Sequence, residues 1–300
     1  MQPPEPSPII QEFLNYLSFQ KRYSSHTVLS YQNDLTSFFE FIFTEYQLKE
    51  AKEITTPVIR TWLASLKENK MASKSINRKI STLRSFFKYQ LRMKHVEVSP
   101  VATITSLKVS QRLPSFIAED DMHTLLNNDY FEDTFQGHTE YLIIQVLYQL
   151  GLRCNELIQL KEKNIDFSSA VIKVLGKGNK ERLLPVNNQL LKLIEEYMAE
   201  KRKEFNNELP FLLLNKKGSQ ISPRYVYDVV RKNLGKVSTN ERKSPHILRH
   251  SFATHLTNNG AHINPVKELL GHSSLASTQI YTHNSIEKLK EVHKQAHPKS

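Results

Sequence analysis

Apolar residues recur at helical spacing along the N-terminal part of the chain. Ile9, Ile10, Phe13, Leu14 and Leu17 form one stripe. After a Ser24-Ser25 break, Val28, Tyr31, Leu35, Phe38, Phe39 and Ile42 form a second. Thr55-Thr56-Pro57 reads as an N-cap with proline in the first turn, opening a helix through Ile59, Trp62, Leu63 and Leu66. Ser73 or Ser75 is expected to cap the next helix, which carries Ile76, Ile80, Leu83, Phe86, Phe87 and Leu91. Strand signals are almost absent here. Four or five short helices around aromatic anchors predict a small bundle.

Glu97-Val-Ser-Pro100 ends that pattern, and residues 101–111 read as a Ser/Thr/Lys-rich connector. The pattern predicts two domains, 1–107 and 112–300, with the boundary at about 107–111. The second mixes helices with a little β-structure. Ala118-Glu-Asp-Asp-Met opens a helix with acidic residues in its first turn, where the dipole favours them. Residues 141–150 are apolar throughout and read as a buried helix that Gly151 ends. Residues 170–175 and 183–186 are β-rich and flank Gly176-Lys-Gly-Asn-Lys-Glu-Arg, which predicts a hairpin with a basic tip. A helix over 190–197 is expected to give way to a charged surface run, and 223–234 reads as a basic helix.

Two further helices are expected around Ser244-Pro245, with the stripe Leu248, Phe252 and Leu256, and between Asn264-Pro265 and Gly271. Ile286, Leu289 and Val292 share one face of a last helix that needs a groove, on its own domain or on a neighbouring copy. The fold class is therefore mainly α with a small β-hairpin or sheet.

Charge changes this picture. Lys and Arg number 41 against 30 acidic residues, a formal net charge of +11, which favours a polyanionic partner such as nucleic acid. In the fourth helix Lys74, Arg78, Lys79, Arg84 and Lys88 surround the apolar stripe, and Lys21, Arg22 and His26 cluster before the second. A basic helix face is usually only solvated; with this net charge and the sequence boxes described below, these residues are read as a DNA-contacting surface. Cys154 is the single cysteine, which rules out an intramolecular disulfide and argues against a Cys-based zinc site. That agrees with a reducing cytoplasm. No apolar run reaches membrane-spanning length, and the Met-Gln-Pro-Pro-Glu-Pro-Ser-Pro start has no signal-peptide core and reads as a short disordered lead-in.

Candidate chemistry concentrates near the C-terminus. His246 and Arg249 lie three residues apart on one predicted helix, His272 follows Gly271, and Tyr281 lies nine residues later. Two imidazoles, a guanidinium and a phenol joined by tight turns suit attack on a phosphodiester. Arginine offers paired donors to non-bridging oxygens, histidine donates hydrogen bonds or relays a proton, and tyrosine is a covalent nucleophile once deprotonated. Asp120 and Asp121 belong to a helix start, and Asp129, Glu132 and Asp133 to a loop-like run, so no acidic cluster has two-metal spacing and no metal or other cofactor is expected. The Gly176-Lys-Gly turn lacks Walker spacing, which excludes a nucleotide loop.

These residues resemble the conserved boxes of the tyrosine recombinase (phage integrase) family. The boxes are Gly151-Leu-Arg153-Cys-Asn-Glu156-Leu, Gly176-Lys177-Gly-Asn-Lys180-Glu-Arg182, His246-Ile-Leu-Arg249-His, Leu270-Gly271-His272 and Tyr281-Thr-His, in the family's order. Their wording is nearest to bacterial site-specific recombinases of the XerC/XerD type. The resemblance implies a two-domain DNA clamp, with an N-terminal SAM-like core-binding bundle and an α+β catalytic domain. It implies Tyr281 as nucleophile of a 3′-phosphotyrosyl intermediate, Arg153 and Arg249 on the phosphate oxygens, and His246 and His272 completing the cradle. Lys177 would be general acid, Glu156 a supporting carboxylate, and Lys180 and Arg182 phosphate contacts. It further implies double-stranded DNA as partner, a homo- or hetero-tetramer with a second Xer-type recombinase, C-terminal segments packed in trans, and a septal DNA translocase as activator. Chromosome-dimer resolution at a dif-like site is the expected role. A mobile-element integrase, a type IB topoisomerase and a non-catalytic DNA-binding protein of the same fold are the rivals.

Overall fold

A computed structural model of the protein describes residues 8–109, 115–127, 130–176, 180–205, 209–271 and 292–298. The expectations placed on the N-terminal lead-in, on 112–114, on Asp129, on the hairpin tip with Lys177, on His272, on Tyr281 and on most of the last helix lie outside these residues. The chain divides into two compact units, Met1–Arg112 and Leu113–Ser300, each with its own core.

The first unit contains α1 (Pro8–Asn15), which runs into a π-helical turn at Tyr16–Gln20, then α2 (Ser25–Tyr46), α3 (Thr56–Glu68) and α4 (Ser73–Arg92). Ser24 caps α2, its hydroxyl accepting from the Thr27 amide. Ala72, not Ser73 or Ser75, occupies the N-cap of α4, so both serines lie inside the helix. The aromatic stripes meet edge-on: Phe13 and Phe86 centroids are 5.5 Å apart, and Phe38 and Trp62 4.8 Å. Such pairs add roughly 0.5–1.5 kcal/mol each beyond area burial.

One charged group belongs to this core. Asp34 is buried and accepts from Arg78 Nη1 (2.5 Å) and Thr82 Oγ1 (2.9 Å), with Lys79 Nζ at 3.2 Å. A buried carboxylate is stable only when paired and hydrogen-bonded, which explains why α4 turns cations toward it. Lys79 therefore departs from the expected exposed face. It is buried, ion-paired to Asp34 and stacked over Trp62, so its ammonium is committed within the unit. Arg78 and Arg84 are exposed but tethered, Arg84 to the Ile104 carbonyl, whereas Lys74 and Lys88 are exposed.

The second unit contains α5 (Glu119–Leu126), α6 (Phe135–Leu150), α7 (Cys154–Ile158), a three-stranded antiparallel sheet of β1 (Ile165–Asp166), β2 (Val171–Leu175) and β3 (Glu181–Pro185), then α8 (Asn188–Glu204), α9 (Pro223–Val237), α10 (Pro245–Asn258) and α11 (Ile263–Leu270). α6 is buried nearly all round and forms the centre on which α8 and α10 pack. Gly151 ends it at φ +58°, and a Cβ there would lie 2.5 Å from the Phe252 ring, so both conformation and space demand glycine. β1 was not expected from the sequence. α8 continues through the expected charged surface run, because Glu, Lys and Arg are good helix formers and Lys201 turns inward to the Phe211 carbonyl and Glu162.

Residues 292–296 form a helical turn on this same unit. His293 Nε2 donates to the Gln149 carbonyl (2.9 Å), and Asn259 donates to the Ala296 carbonyl (2.9 Å). The described end of the chain, 292–298, thus lies against its own unit, and the segment that leads to it lies outside the described residues. Its buried imidazoles, His293 and His297, stack at 4.9 Å beside Tyr148 and Phe252. Nearby, His255 Nε2 donates to the Ile117 carbonyl, which leaves Nδ1 to accept from the Tyr148 hydroxyl (2.8 Å).

Burial holds all three imidazoles below the usual histidine range; the charge of Glu119 partly opposes this at His255, and that of His123 adds to it at His255 and His297. The unfolded chain therefore takes up protons first as pH falls through about 6.5, and stability declines below that value. Lowering pH from 7.5 to 5.5 is expected to cost this unit about 2–3 kcal/mol. Urea unfolding followed by circular dichroism at both values checks it. An unmoved midpoint would show that these histidines titrate alike in both states.

Candidate active site

The site is built where α11 ends. The last carbonyls of a helix lack intrahelical partners and carry the negative end of its dipole. Here three consecutive carbonyls each receive a guanidinium. Arg182 Nε donates to Leu269 O (2.8 Å), Arg249 Nη2 to Leu270 O, and Arg153 Nη2 to Gly271 O (3.2 Å). Arg249 Nη1 also donates to the Gly151 carbonyl (2.6 Å), tying α10 to the turn that follows α6. Gly271 itself is left-handed (φ +61°), as a helix C-terminus commonly requires.

One carboxylate joins the three. Glu156 Oε1 accepts from Arg153 Nη1 (2.7 Å) and Arg182 Nη1 (2.8 Å). Its Oε2 accepts from Arg182 Nη2 (2.8 Å) and from the Arg153 amide (2.8 Å), and lies 3.9 Å from Arg249 Nη1. Burial alone would raise the Glu156 carboxyl, but the hydrogen bonds and charge of Arg182, with those of Arg153, outweigh it and the net direction is downward. Burial lowers the Arg249 guanidinium to about 10, helped by the neighbouring charge of Arg153 and opposed by Glu156. It stays protonated at neutral pH. Three guanidiniums around one carboxylate leave two positive charges uncompensated among these groups. An anion at this point would find that charge already oriented and partly desolvated.

The other expected site residues are placed as follows. His246 is exposed in the first turn of α10, one turn before Arg249 on the same face. Lys180 is exposed at the base of the hairpin, where the Gly176 amide donates to its carbonyl (2.8 Å). Arg182 corrects an expectation: it is 4% exposed and turned inward, not reaching out as a phosphate contact. The two-residue period of β3 carries that signal in the sequence, since Arg182 shares the face of buried Leu184. The convergence on the α11 carbonyls has no sequence signal, because it is made by backbone atoms.

The phage integrase family model matches residues 115–288, and the model for the N-terminal SAM-like domain of phage integrases matches residues 10–94. The chain is 36% identical to the tyrosine recombinase XerC of Anoxybacillus flavithermus, over 96% of this chain and 97% of that protein. It is 37% identical to the XerC of Staphylococcus saprophyticus, over 97% and 98%. The chain therefore belongs to the phage integrase family. It is a tyrosine-type site-specific DNA recombinase. Among solved structures, XerH recombinase in a post-cleavage complex with a palindromic difH substrate has the same fold, with a TM-score of 0.70 and 24% identity over 94% of this chain and 82% of that one. The Tn1549 transposon integrase bound to transposon right-end DNA superposes at a TM-score of 0.71 with 18% identity, over 94% and 98%.

Proposed function

We propose that this recombinase cuts and rejoins duplex DNA through a 3′-phosphotyrosyl link at Tyr281, acting as an Xer enzyme that resolves chromosome dimers at a dif-like site. The observation that carries it is the trio of guanidiniums on the α11 carbonyls, with two charges in excess beside the turn that leads to His272. Arg153 and Arg249 bind the non-bridging oxygens of the scissile phosphate and stabilise its pentacoordinate state. His246 takes the Tyr281 proton, and His272 donates to a phosphate oxygen. Lys177 protonates the 5′-oxygen as it leaves. The linkage conserves the energy of the broken phosphodiester, so a 5′-hydroxyl from a partner strand reverses the attack without ATP, ligase or cofactor.

Residues 1–107 and 112–300 act as the two jaws of a DNA clamp, with Lys74, Arg78, Arg84, Lys88 and Lys180 on phosphates. The working unit is a tetramer of this chain, alone or with a second Xer-type recombinase, in the cytoplasm, with a septal DNA translocase as activator. The full-length 36–37% identity to XerC proteins supports this role over that of a mobile-element integrase. Among the described residues, no helix is long and apolar enough to cross a membrane.

The test uses a duplex selected from random DNA by binding to the full chain, then nicked near the scissile position. A denaturant-resistant protein–DNA adduct that requires Tyr281 is the expected product. Tight, site-specific binding with no adduct, even with a second recombinase added, would leave a DNA-binding protein and sink the proposal.

Arg249 gives a graded version of the same test. Its fork spans the Gly151 and Leu270 carbonyls, and a lysine ammonium cannot hold both and a phosphate oxygen. Arg249→Lys is expected to slow single-turnover cleavage by about 10²–10³-fold, as loss of one transition-state donor does. A rate within threefold of wild type would remove Arg249 from the phosphate.

A further inference from the structure

We propose that Arg182 is a positioning residue for cleavage: it locks Glu156, and through it Arg153, against the end of α11. This rests on the recombinase reading above.

Both edges of the Arg182 guanidinium are engaged. Nη1 and Nη2 each meet one oxygen of Glu156 at 2.8 Å, and Nε meets the Leu269 carbonyl at 2.8 Å. The main chain closes around it on two sides. A Cβ on Gly271 would lie 3.2 Å from Arg182 Cδ and 3.3 Å from its Nη1, and one on Gly176 3.5 Å from Nη1. Gly271 thus lets backbone pass close to a buried, fully forked cation, and Gly176 borders it at ordinary contact distance. Arg182 also sits in β3 opposite Val174 of β2, one pair in from the end of the ladder that precedes the Gly176–Lys180 connection. It joins three pieces of chain, the hairpin base, the Arg153–Glu156 turn and the end of α11, at one guanidinium.

The consequence falls on Arg153. Its Nη1 and Arg182 Nη1 share the same oxygen, Glu156 Oε1. If Arg182 lets go, the carboxylate is free to turn toward Arg153 alone or toward Arg249, whose Nη1 is already 3.9 Å away. Either movement draws Arg153 off the Gly271 carbonyl and out of register with a phosphate. Lysine cannot replace the fork, because one ammonium cannot span two carboxylate oxygens and the Leu269 carbonyl together. A misplacement of about 1 Å costs on the order of 10²-fold in rate.

The experiment is a double-mutant cycle on the full chain, with single-turnover cleavage of the selected nicked duplex and rates taken separately from the amplitude that counts active protein. Arg182→Lys is expected to slow cleavage by about 10²-fold with DNA affinity unchanged. In an Arg153→Ala background, Arg182→Lys should slow it no further, because the path runs through Arg153. Equal slowing in both backgrounds would overturn the proposal, as would a loss of amplitude with the rate intact, which is what a merely structural role predicts. Glu156→Gln, which keeps the shape and halves the acceptor pair, should show the same non-additivity and serves if Arg182→Lys does not fold; additive slowing by it would overturn the proposal too.

A duplex with sulfur at the bridging 5′ position separates the hairpin route, because a thiolate leaves without a proton donor. It should rescue Lys177→Ala and leave Arg182→Lys slow. Rescue of Arg182→Lys would show that it acts through the hairpin, against the proposal. If wild type gives no Tyr281-dependent adduct, the recombinase reading fails first and this one with it.

Discussion

Replacing Tyr281 with phenylalanine is expected to abolish the covalent adduct while site-specific DNA binding persists. Phenylalanine keeps the ring and removes only the oxygen that forms the new phosphate ester. No graded loss is expected, because a nucleophile that forms the bond has no substitute among groups that only stabilise charge. The chain holds twelve tyrosines, so a neighbouring phenol is the obvious replacement. Adduct formation by the Phe variant, mapped by peptide sequencing to another tyrosine, would move the nucleophile and undo the assignment of Tyr281. Loss of binding along with the adduct would instead mark Tyr281 as part of the DNA-holding structure.

Glu156→Ala is expected to destabilise the second unit by about 3–5 kcal/mol, the usual cost of removing one partner from a buried ion pair. Glu156 and Arg182 are both almost fully buried, and the carboxylate is the anionic partner within salt-bridge distance of all three guanidiniums. Without it, like charges face one another in a partly desolvated site. The reading is clean because Trp62, the only tryptophan, lies in the core of the first unit. Tryptophan fluorescence should keep its urea midpoint while the ellipticity transition of the second unit moves to lower urea. A variant within about 1 kcal/mol of wild type would mean that water or a backbone shift replaces the carboxylate. The two predictions separate chemistry from architecture: Tyr281→Phe should leave stability alone, whereas Glu156→Ala should lower both stability and cleavage.

Much of the fold was written in local pattern. The stripes of α2, α3 and α4, the buried run of α6 and the turns at Gly151 and Gly271 follow from periodicity and from the conformations only glycine adopts easily. These features depend on residues a few positions apart, so adjacency in sequence suffices to find them. The family boxes named the candidate chemistry for a similar reason, since each box is a short contiguous string. Where local pattern misled, a distant partner was responsible. Lys79 looked like one more cation on a basic helix until Asp34, from α2, drew it inward. Lys201 was read into a solvated run until Glu162 and the Phe211 carbonyl turned it under. Arg182 looked like a phosphate contact until Glu156 and Leu269 enclosed it.

The sequence alone therefore settled which residue types are present, which helices they ride on and which reaction class they suit. Tertiary structure alone decided which cations remain available to an anion and which are spent inside the protein. The reason is electrostatic. A buried carboxylate takes whatever cation the fold brings near it, and the open carbonyls at the end of a helix do the same. Most of these pairings leave no mark in residue spacing, because the partners lie far apart along the chain and several are backbone oxygens; the Arg153–Glu156 pair, three residues apart, is the exception.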